Sequence, residues 1–351
     1  MTQRTLAGIL AVPLLVVLWV VALTSGLPYV TYQPGVTVDV LGAEDGKEIV
    51  QVSGHKTYRD EGQLRMTTVY VTRPQSTVNL FEATSAWVSR DDAVVPYDAV
   101  YAPDETQEDS KTESAVEMVS SQDSAVASAL TELGYDITPV IEVLNVGEGL
   151  PAAGKLEVRD VLLKIGETTI KSGEDVVTAV RAAPVNQPLP FVVRRGDEER
   201  TIDITPKKIE GETRVGITPG PGFDFPFQVS VNIDPTIGGP SAGLLFSLGI
   251  YDTLTPGSLT DDEIVAGTGT IDETGKVGPI GGIPQKIAAS REAGAKLFLV
   301  PIDNCKEADK APRGDMRLAV VATMHEAVQA IDTWTAGHDA PLPTCPKEAA
   351  Q

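Results

Sequence analysis

Apolar residues from Leu6 to Val21 are almost continuous, interrupted by Gly8 and Pro13, and no charged side chain occurs between Thr5 and Val38. Extended to Leu23, the run holds roughly 18 residues, near the lower limit for a helix crossing a hydrocarbon core about 30 Å thick, with Trp19 and Tyr29 placed as interface aromatics. The pattern predicts one membrane-spanning helix rather than a cleaved signal peptide, whose apolar region is usually ~7 to 15 residues. Arg4 precedes it, so the positive-inside rule leaves the N-terminus cytoplasmic and the bulk of the chain outside the cell membrane.

Beyond the anchor the period changes. Glu48 to Val52 and Leu64 to Thr72 (LRMTTVYVT) alternate apolar with polar and are rich in β-branched residues, as half-buried strands should be. A polar, acidic connector, Pro103 to Ser114, leads into a helix over Ala115 to Leu133, whose apolar positions Val116, Val119, Val126, Ala129 and Leu130 recur at helical spacing before Gly134 closes it. From Pro139 to Lys207 the elements are short. PVIEVLNV reads as a strand, GLPAAGKLEVRDVLLKI as a turn and strand, SGEDVVTAVRAA as an amphipathic helix, and PLPFVVRRGDEERTIDITP as a hairpin around Gly196 and Asp197. Phe227, Val229, Val231 and Ile233 mark a further strand, broken by DPTIGGP.

Ser241 follows that glycine-rich break and opens a helix with Leu244, Leu245 and Leu248 on its buried face and Pro240 ahead of it. A serine so placed lies at the positive end of a helix, and the loop formed by Gly238, Gly239, Pro240 and Ala242 offers backbone N–H groups, at every position but the proline, that can hold the oxyanion formed when a carbonyl is attacked. A hydroxyl needs a base to become a nucleophile. The three histidines do not serve: His55 lies in a turn, His325 starts a helix behind Thr323 and Glu326, and His338 is in the tail. His325-Glu326 also lacks the second metalloprotease histidine, because Gln329 stands there. A trypsin-like reading fails for want of a suitable histidine and G-x-S-G arrangement.

Lysine is the remaining base. The stretch GTGTIDETGKVGPIGGIPQKIAASREAGAKLFLVP reads as strand, turn, glycine loop, helix and strand, with the helix from Pro284 to Ala293. At about 100° per residue, Ile283, Ala289, Ser290 and Ala293 flank Lys286 while Arg291 and Glu292 point away. Burial among such groups can lower a lysine pKa by the about 3 units from ~10.4, roughly 4 kcal/mol, that base catalysis near neutral pH requires. Taken singly, a capping serine and a helix-edge lysine are ordinary features; the surrounding motifs change that.

The segments GGPSAG, GTGTI, PIGGIPQKIAA and REAGA, in that order over roughly Phe227 to Asp332, resemble the proteolytic domain of Lon. The resemblance implies Ser241 as nucleophile, Lys286 as general base and Thr268 as the hydroxyl orienting that lysine. Lon-type sites commonly carry an aspartate two residues before the proline; this chain has Gly238. GLPAAGKLEVRDVLLKIGETTIKSGEDVVTAVRAA looks like the PDZ domains of bacterial envelope proteases, which take an extended peptide end by β-augmentation. That likeness places peptide contacts on Val140, Ile141 and Val143 of the strand and Val176 and Val180 of the helix.

The expected architecture is α+β: a stub and anchor over 1–26, a β-rich segment with a helix over 27–135 that resembles the first part of the protease domain, a PDZ-like domain over 138–208, the Lon-type domain over 212–335 and a tail over 336–351. In that arrangement the PDZ-like module is inserted into the protease. The chain carries 28 basic and 49 acidic residues, a formal charge of -21, so nucleic acid is excluded as a partner. The two cysteines, Cys305 and Cys345, have no metal-ligand spacing and would pair in an oxidising compartment. No metal or cofactor is expected, and no G-x-x-x-x-G-K-[ST] occurs, so the ATP-driven unfoldase usual in Lon is not expected. These readings predict an ATP-independent serine endopeptidase acting on unfolded or flexible extracytoplasmic polypeptides, with a homo-hexamer implied by the resemblance. The alternative is a catalytically inactive PDZ/Lon-like adaptor of the envelope, for which Gly238 speaks.

Overall fold

The computed structural model describes residues 3–44, 46–209 and 211–346, with the backbone alone for residues 3–10. The first helix is Gln3–Thr24, with Pro13 inside it. It does not support the expected anchor: among the described residues no helix is long and apolar enough to cross a membrane. The side chains described in it run from Ala11 to Thr24, about 21 Å of helix at about 1.5 Å per residue, while Arg4 and the start of the apolar run lie outside them.

The main layer is a six-stranded sheet in the order Arg317–Val321, Leu297–Pro301, Ile264–Gly267, Gln63–Val71, Tyr29–Asp39, Ala93–Pro96. The first four strands are parallel, and the last two pairings are antiparallel. Strands from before residue 100 thus sit in one sheet with strands from after residue 260, so one layer is assembled from both sides of an inserted module. Alternation along the strands serves two cores. Val265, Leu297 and Leu299 face one side with the helices Gly243–Leu254 and Met324–Ala336, while Ala266, Phe298 and Val300 face the other with Ile283 and Ile287 of the helix Ile283–Glu292.

The helix read as starting at Ala115 begins earlier, at Gln107, and runs to Glu132. Thr106 caps it, accepting from Asp109 N–H, with Glu108 and Asp109 in the first turn. The acidic stretch read as a connector is therefore a helix start, where carboxylates complement the positive end of the dipole. This long helix packs on the first core through Met118, Ala125, Val126, Ala129 and Leu130.

The inserted module has an antiparallel sheet in the order Glu198–Ile204, Leu189–Arg195, Val161–Ile165, Thr138–Val146, Ile217–Asp224, closed by the helix Gly173–Ala182 under a Ser172–Asp175 capping box. Its layout differs from the expected peptide groove. The strand holding Val140, Ile141 and Val143 pairs with Ile217–Asp224 on one side and bridges Val161 on the other, so it offers no open edge. Val143, Val176 and Val180 belong to the module's core with Phe191, Ile165 and Ile204. The sheet's open edge on the side of the helix is Ile217–Asp224, a strand outside the stretch that carried the sequence resemblance.

The Cys305 and Cys345 sulfurs are joined as a disulfide, with the Cα atoms 5.5 Å apart. The bridge holds the tail along the sheet edge, where Val320 N–H donates to Pro343 carbonyl at 2.9 Å. Of the tail, residues 347–351 lie outside the described residues.

Candidate active site

Two helices on opposite faces of the main sheet send Ser241 and Lys286 to one place, beyond the end of the strand Ile264–Gly267. Thr268, the next residue, is fully buried. Its hydroxyl donates to Ser241 carbonyl at 3.0 Å, and Gly269 N–H donates to the same carbonyl at 2.9 Å. The serine's backbone is thereby tied to the strand end. Gly269 holds a φ of +155°, and a Cβ there would stand 2.8 Å from Val277 Cγ1, so the turn that lets the chain reach Ser241 requires glycine.

Lys286 lies one turn into the helix Ile283–Glu292, which is entered through Gly282 at φ +69° and Pro284 at its start. The neighbours Ile283 and Ile287 are fully buried, and Lys286 itself keeps only 2% exposure. Lys286 Nζ stands 2.6 Å from Ser241 Oγ and 3.0 Å from Thr268 Oγ1, donating to both when protonated. Burial pushes the amine down from 10.5 to about 7, with no ion pair contributing. Desolvation disfavours the ammonium, which is the condition for a lysine to accept a proton near neutral pH.

The helix after the serine begins at Gly243, with Ala242 as its cap, so Ser241 precedes the first turn rather than opening it. It still lies two residues before the helix's positive end. Among the described residues the N–H groups of Ser241 and Ala242 have no acceptor, whereas Gly239 N–H is already given to Ser114 carbonyl at 3.2 Å and Gly243 N–H to Pro240 carbonyl at 3.3 Å. Two unengaged donors beside a serine hydroxyl are what an oxyanion would require; Gly239 belongs to the loop but not to that donor set.

Gly238, the departure from the Lon pattern, has a steric reason. A Cβ at that position would lie 2.7 Å from Ser114 Cβ, so the loop rests too closely on the long helix for any side chain. A cavity of about 540 Å³ opens beside Ser241 and Lys286, lined by Val36, Met66, Val69, Met118 and Ile237 and also by Glu44, Thr68 and Asp234. Its lining is mixed, apolar side chains with a few polar groups among them, as ligand clefts are.

The histidines are engaged elsewhere. His55 stacks on Phe227 with ring centroids 4.6 Å apart, His325 Nδ1 lies 2.7 Å from Glu132, and His338 packs on Trp334 at 4.7 Å. Among the described residues no group of three or more His, Cys, Asp or Glu is arranged to hold a metal ion. Sequence reasoning passed over Ser114, Met118 and Ser121 of the long helix, which touch the loop or line the cavity. No local motif marks them, and only the tertiary approach of the helix brings them there.

Residues 235–332 match the family described as the Lon protease (S16) C-terminal proteolytic domain, and residues 116–205 match the PDZ domain. Lon protease 1 of Herpetosiphon aurantiacus is 36% identical over 107 residues, 30% of this chain and 13% of that one. Lon protease 2 of Bacillus subtilis is 36% identical over 108 residues, 31% of this chain and 19% of the relative. The chain thus spans less than a fifth of the length of these two curated relatives. The solved PDZ domain of the SdrC-like protein from Listeria innocua is 25% identical over 22% of this chain and 90% of that one, with a TM-score of 0.21. The matches show a likeness to the Lon proteolytic domain in residues 235–332 and to the PDZ domain in residues 116–205.

Proposed function

We propose that the chain hydrolyses peptide bonds with Ser241 as nucleophile and Lys286 as general base. The observation that carries this reading is a lysine amine with 2% exposure, lowered to about 7 and 2.6 Å from a serine hydroxyl. The neutral amine takes the Ser241 proton as Oγ attacks the peptide carbonyl, and the N–H groups of Ser241 and Ala242 receive the oxyanion. The resulting ammonium then gives its proton to the departing amine, leaving an acyl-enzyme. Water attacks that ester with Lys286 again as base, and Oγ leaves with the proton. Thr268, 3.0 Å from Nζ, keeps the amine aimed at Oγ through the cycle.

No step in this sequence consumes a nucleotide, and we propose cleavage without ATP. The proposed substrates are unfolded or flexible polypeptides, which can present a peptide segment to the cleft beside Ser241 and Lys286. The Cys305–Cys345 disulfide supports an oxidising, extracytoplasmic setting. The inserted module is proposed to bind substrate or partner peptides, using its open edge Ile217–Asp224.

The test is cleavage of casein, and of a short fluorogenic peptide, by the full chain without nucleotide. Wild type should cleave both, and Ser241→Ala and Lys286→Ala should cleave neither. A wild type that binds peptides and cleaves nothing, with or without ATP, would instead make the chain an adaptor.

A further inference from the structure

The loop that carries Ser241 contains Gly238 and Gly239, the latter at φ +87°, and such a segment keeps its shape only if something outside it does the holding. The long helix Gln107–Glu132 supplies two contacts from one face, two turns apart. Ser114 carbonyl accepts Gly239 N–H at 3.2 Å, and Ser121 Oγ donates to Pro240 carbonyl at 3.0 Å. Ser121 is buried, with 5% exposure. A serine inside a helix commonly turns its hydroxyl back onto its own backbone; this one donates outward to the residue before the nucleophile. The fit is close on both sides of Ser241. A Cβ at 238 would meet Ser114 Cβ at 2.7 Å, and a Cβ at 243 would meet Ser121 Oγ at 2.9 Å. Glycine at both positions lets helix and loop come together.

We infer that Ser121 is a positioning residue for the hydrolysis, bracing the Pro240 carbonyl so that the Ser241 hydroxyl and the N–H groups beside it keep their aim. The inference rests on the Ser241–Lys286 reading and adds to it the element that sets the loop. The Pro240–Ser241 peptide can be held through the Pro240 carbonyl while its N–H, that of Ser241, stays available to an oxyanion. Losing the Ser121 bond leaves the Pro240 carbonyl only the longer 3.3 Å bond from Gly243 N–H, so the Pro240–Ser241 peptide can tilt, and with it the direction of the serine N–H that faces the oxyanion. The cleft also takes lining from Val36, Met66, Val69 and Lys286, which the Ser121 bond does not touch, so affinity should change less than turnover.

Ser121→Ala, assayed in the full chain with the fluorogenic peptide, should lower kcat about tenfold with KM changed less than twofold, the size expected for one misaimed hydrogen bond in a transition state. The rate of Ser241 modification by a fluorophosphonate, taken per folded molecule, should fall by a similar factor. Ser128→Ala is the control: Ser128 is equally buried on the same helix, two turns on, and contacts Met324 instead. It should leave kcat unchanged. A Ser121→Ala enzyme with wild-type kcat overturns the brace while the dyad stands. Equal losses in Ser121→Ala and Ser128→Ala would show general weakening of the helix and also overturn it. If wild-type turnover survives Ser241→Ala, the dyad reading itself falls and the brace falls with it.

Discussion

If Lys286 is the base, activity must follow the fraction of it that is uncharged. Moving its pKa from 10.5 to about 7 corresponds to roughly 5 kcal/mol of lost preference for the ammonium, about 1.4 kcal/mol per unit. A group with pKa near 7 is about one-eleventh neutral at pH 6 and about ten-elevenths neutral at pH 8. Initial rates with the fluorogenic peptide far below KM report kcat/KM and hence the free enzyme. The account predicts a rise of about tenfold per pH unit well below 7, a bend near 7 and a plateau through pH 9. The same shift has a stability signature of fixed sign. The folded state binds fewer protons than the unfolded chain between about 7 and 10.5, so Lys286 destabilises most fully below pH 7 and that cost is relieved as pH rises toward 10.5. Because a bend near 7 lies close to the imidazole range, the profile is repeated with His55→Gln, His325→Gln and His338→Gln, each expected to leave it unchanged. A rate that keeps climbing tenfold per unit from pH 8 to 10 would mean an ordinary lysine. A bend that vanishes in one histidine variant would mean a different base. Either result refutes the reasoning.

Thr268→Val should cut kcat by about tenfold to a hundredfold, since a buried amine loses its 3.0 Å partner and its aim; kcat at saturating peptide checks it. Gly238→Ala should also lose most activity, because its Cβ would meet Ser114 Cβ at 2.7 Å, and Ser114→Gly in the same chain should restore part of it. Glu142, buried where the inserted module meets the long helix, is raised by desolvation first and by nearby Asp123 second, and its Oε1 has no hydrogen-bond partner. A carboxylate raised in the folded state stabilises it most below the unfolded pKa and loses that contribution as pH rises through the folded value. Glu142→Gln should therefore stabilise the chain more at pH 9 than at pH 5, read as the difference in thermal midpoint. Arg159 reaches the same helix, donating to Asp123 at 2.9 Å and Gln122 at 2.8 Å. Arg159→Ala should lower the thermal midpoint by leaving Asp123 buried and unpaired.

The residues of the proposed site lie in short sequence stretches, which makes them legible. Ser241 behind a glycine-rich break and Lys286 on the apolar face of a short helix each announce a local environment, and the structure brings their side chains within 2.6 Å. Alternation in LRMTTVYVT likewise foretells a strand, Gln63–Val71, that takes a central place in the main sheet. What could not be read is tertiary. The strand holding Val140, Ile141 and Val143 looks from its pattern like any half-buried strand, and only the return of Ile217–Asp224 from outside the recognised stretch fills its edge. The acidic start of the long helix passed for a connector because its capping box lies upstream of the apolar periodicity. Ser114 and Ser121 carry no signal, since their partners are backbone groups more than a hundred residues away. Gly238 looked like a defect in a motif and is a point of close contact.

The central claim is that a buried neutral amine activates the Ser241 hydroxyl. The most direct measurement is mass spectrometry of the full chain after reaction with a fluorophosphonate at pH 8, in wild type and in Lys286→Ala. The account predicts one adduct per wild-type chain, on the peptide bearing Ser241, and its near absence in the variant. Equal labelling of both proteins, or an adduct on another residue, would contradict it.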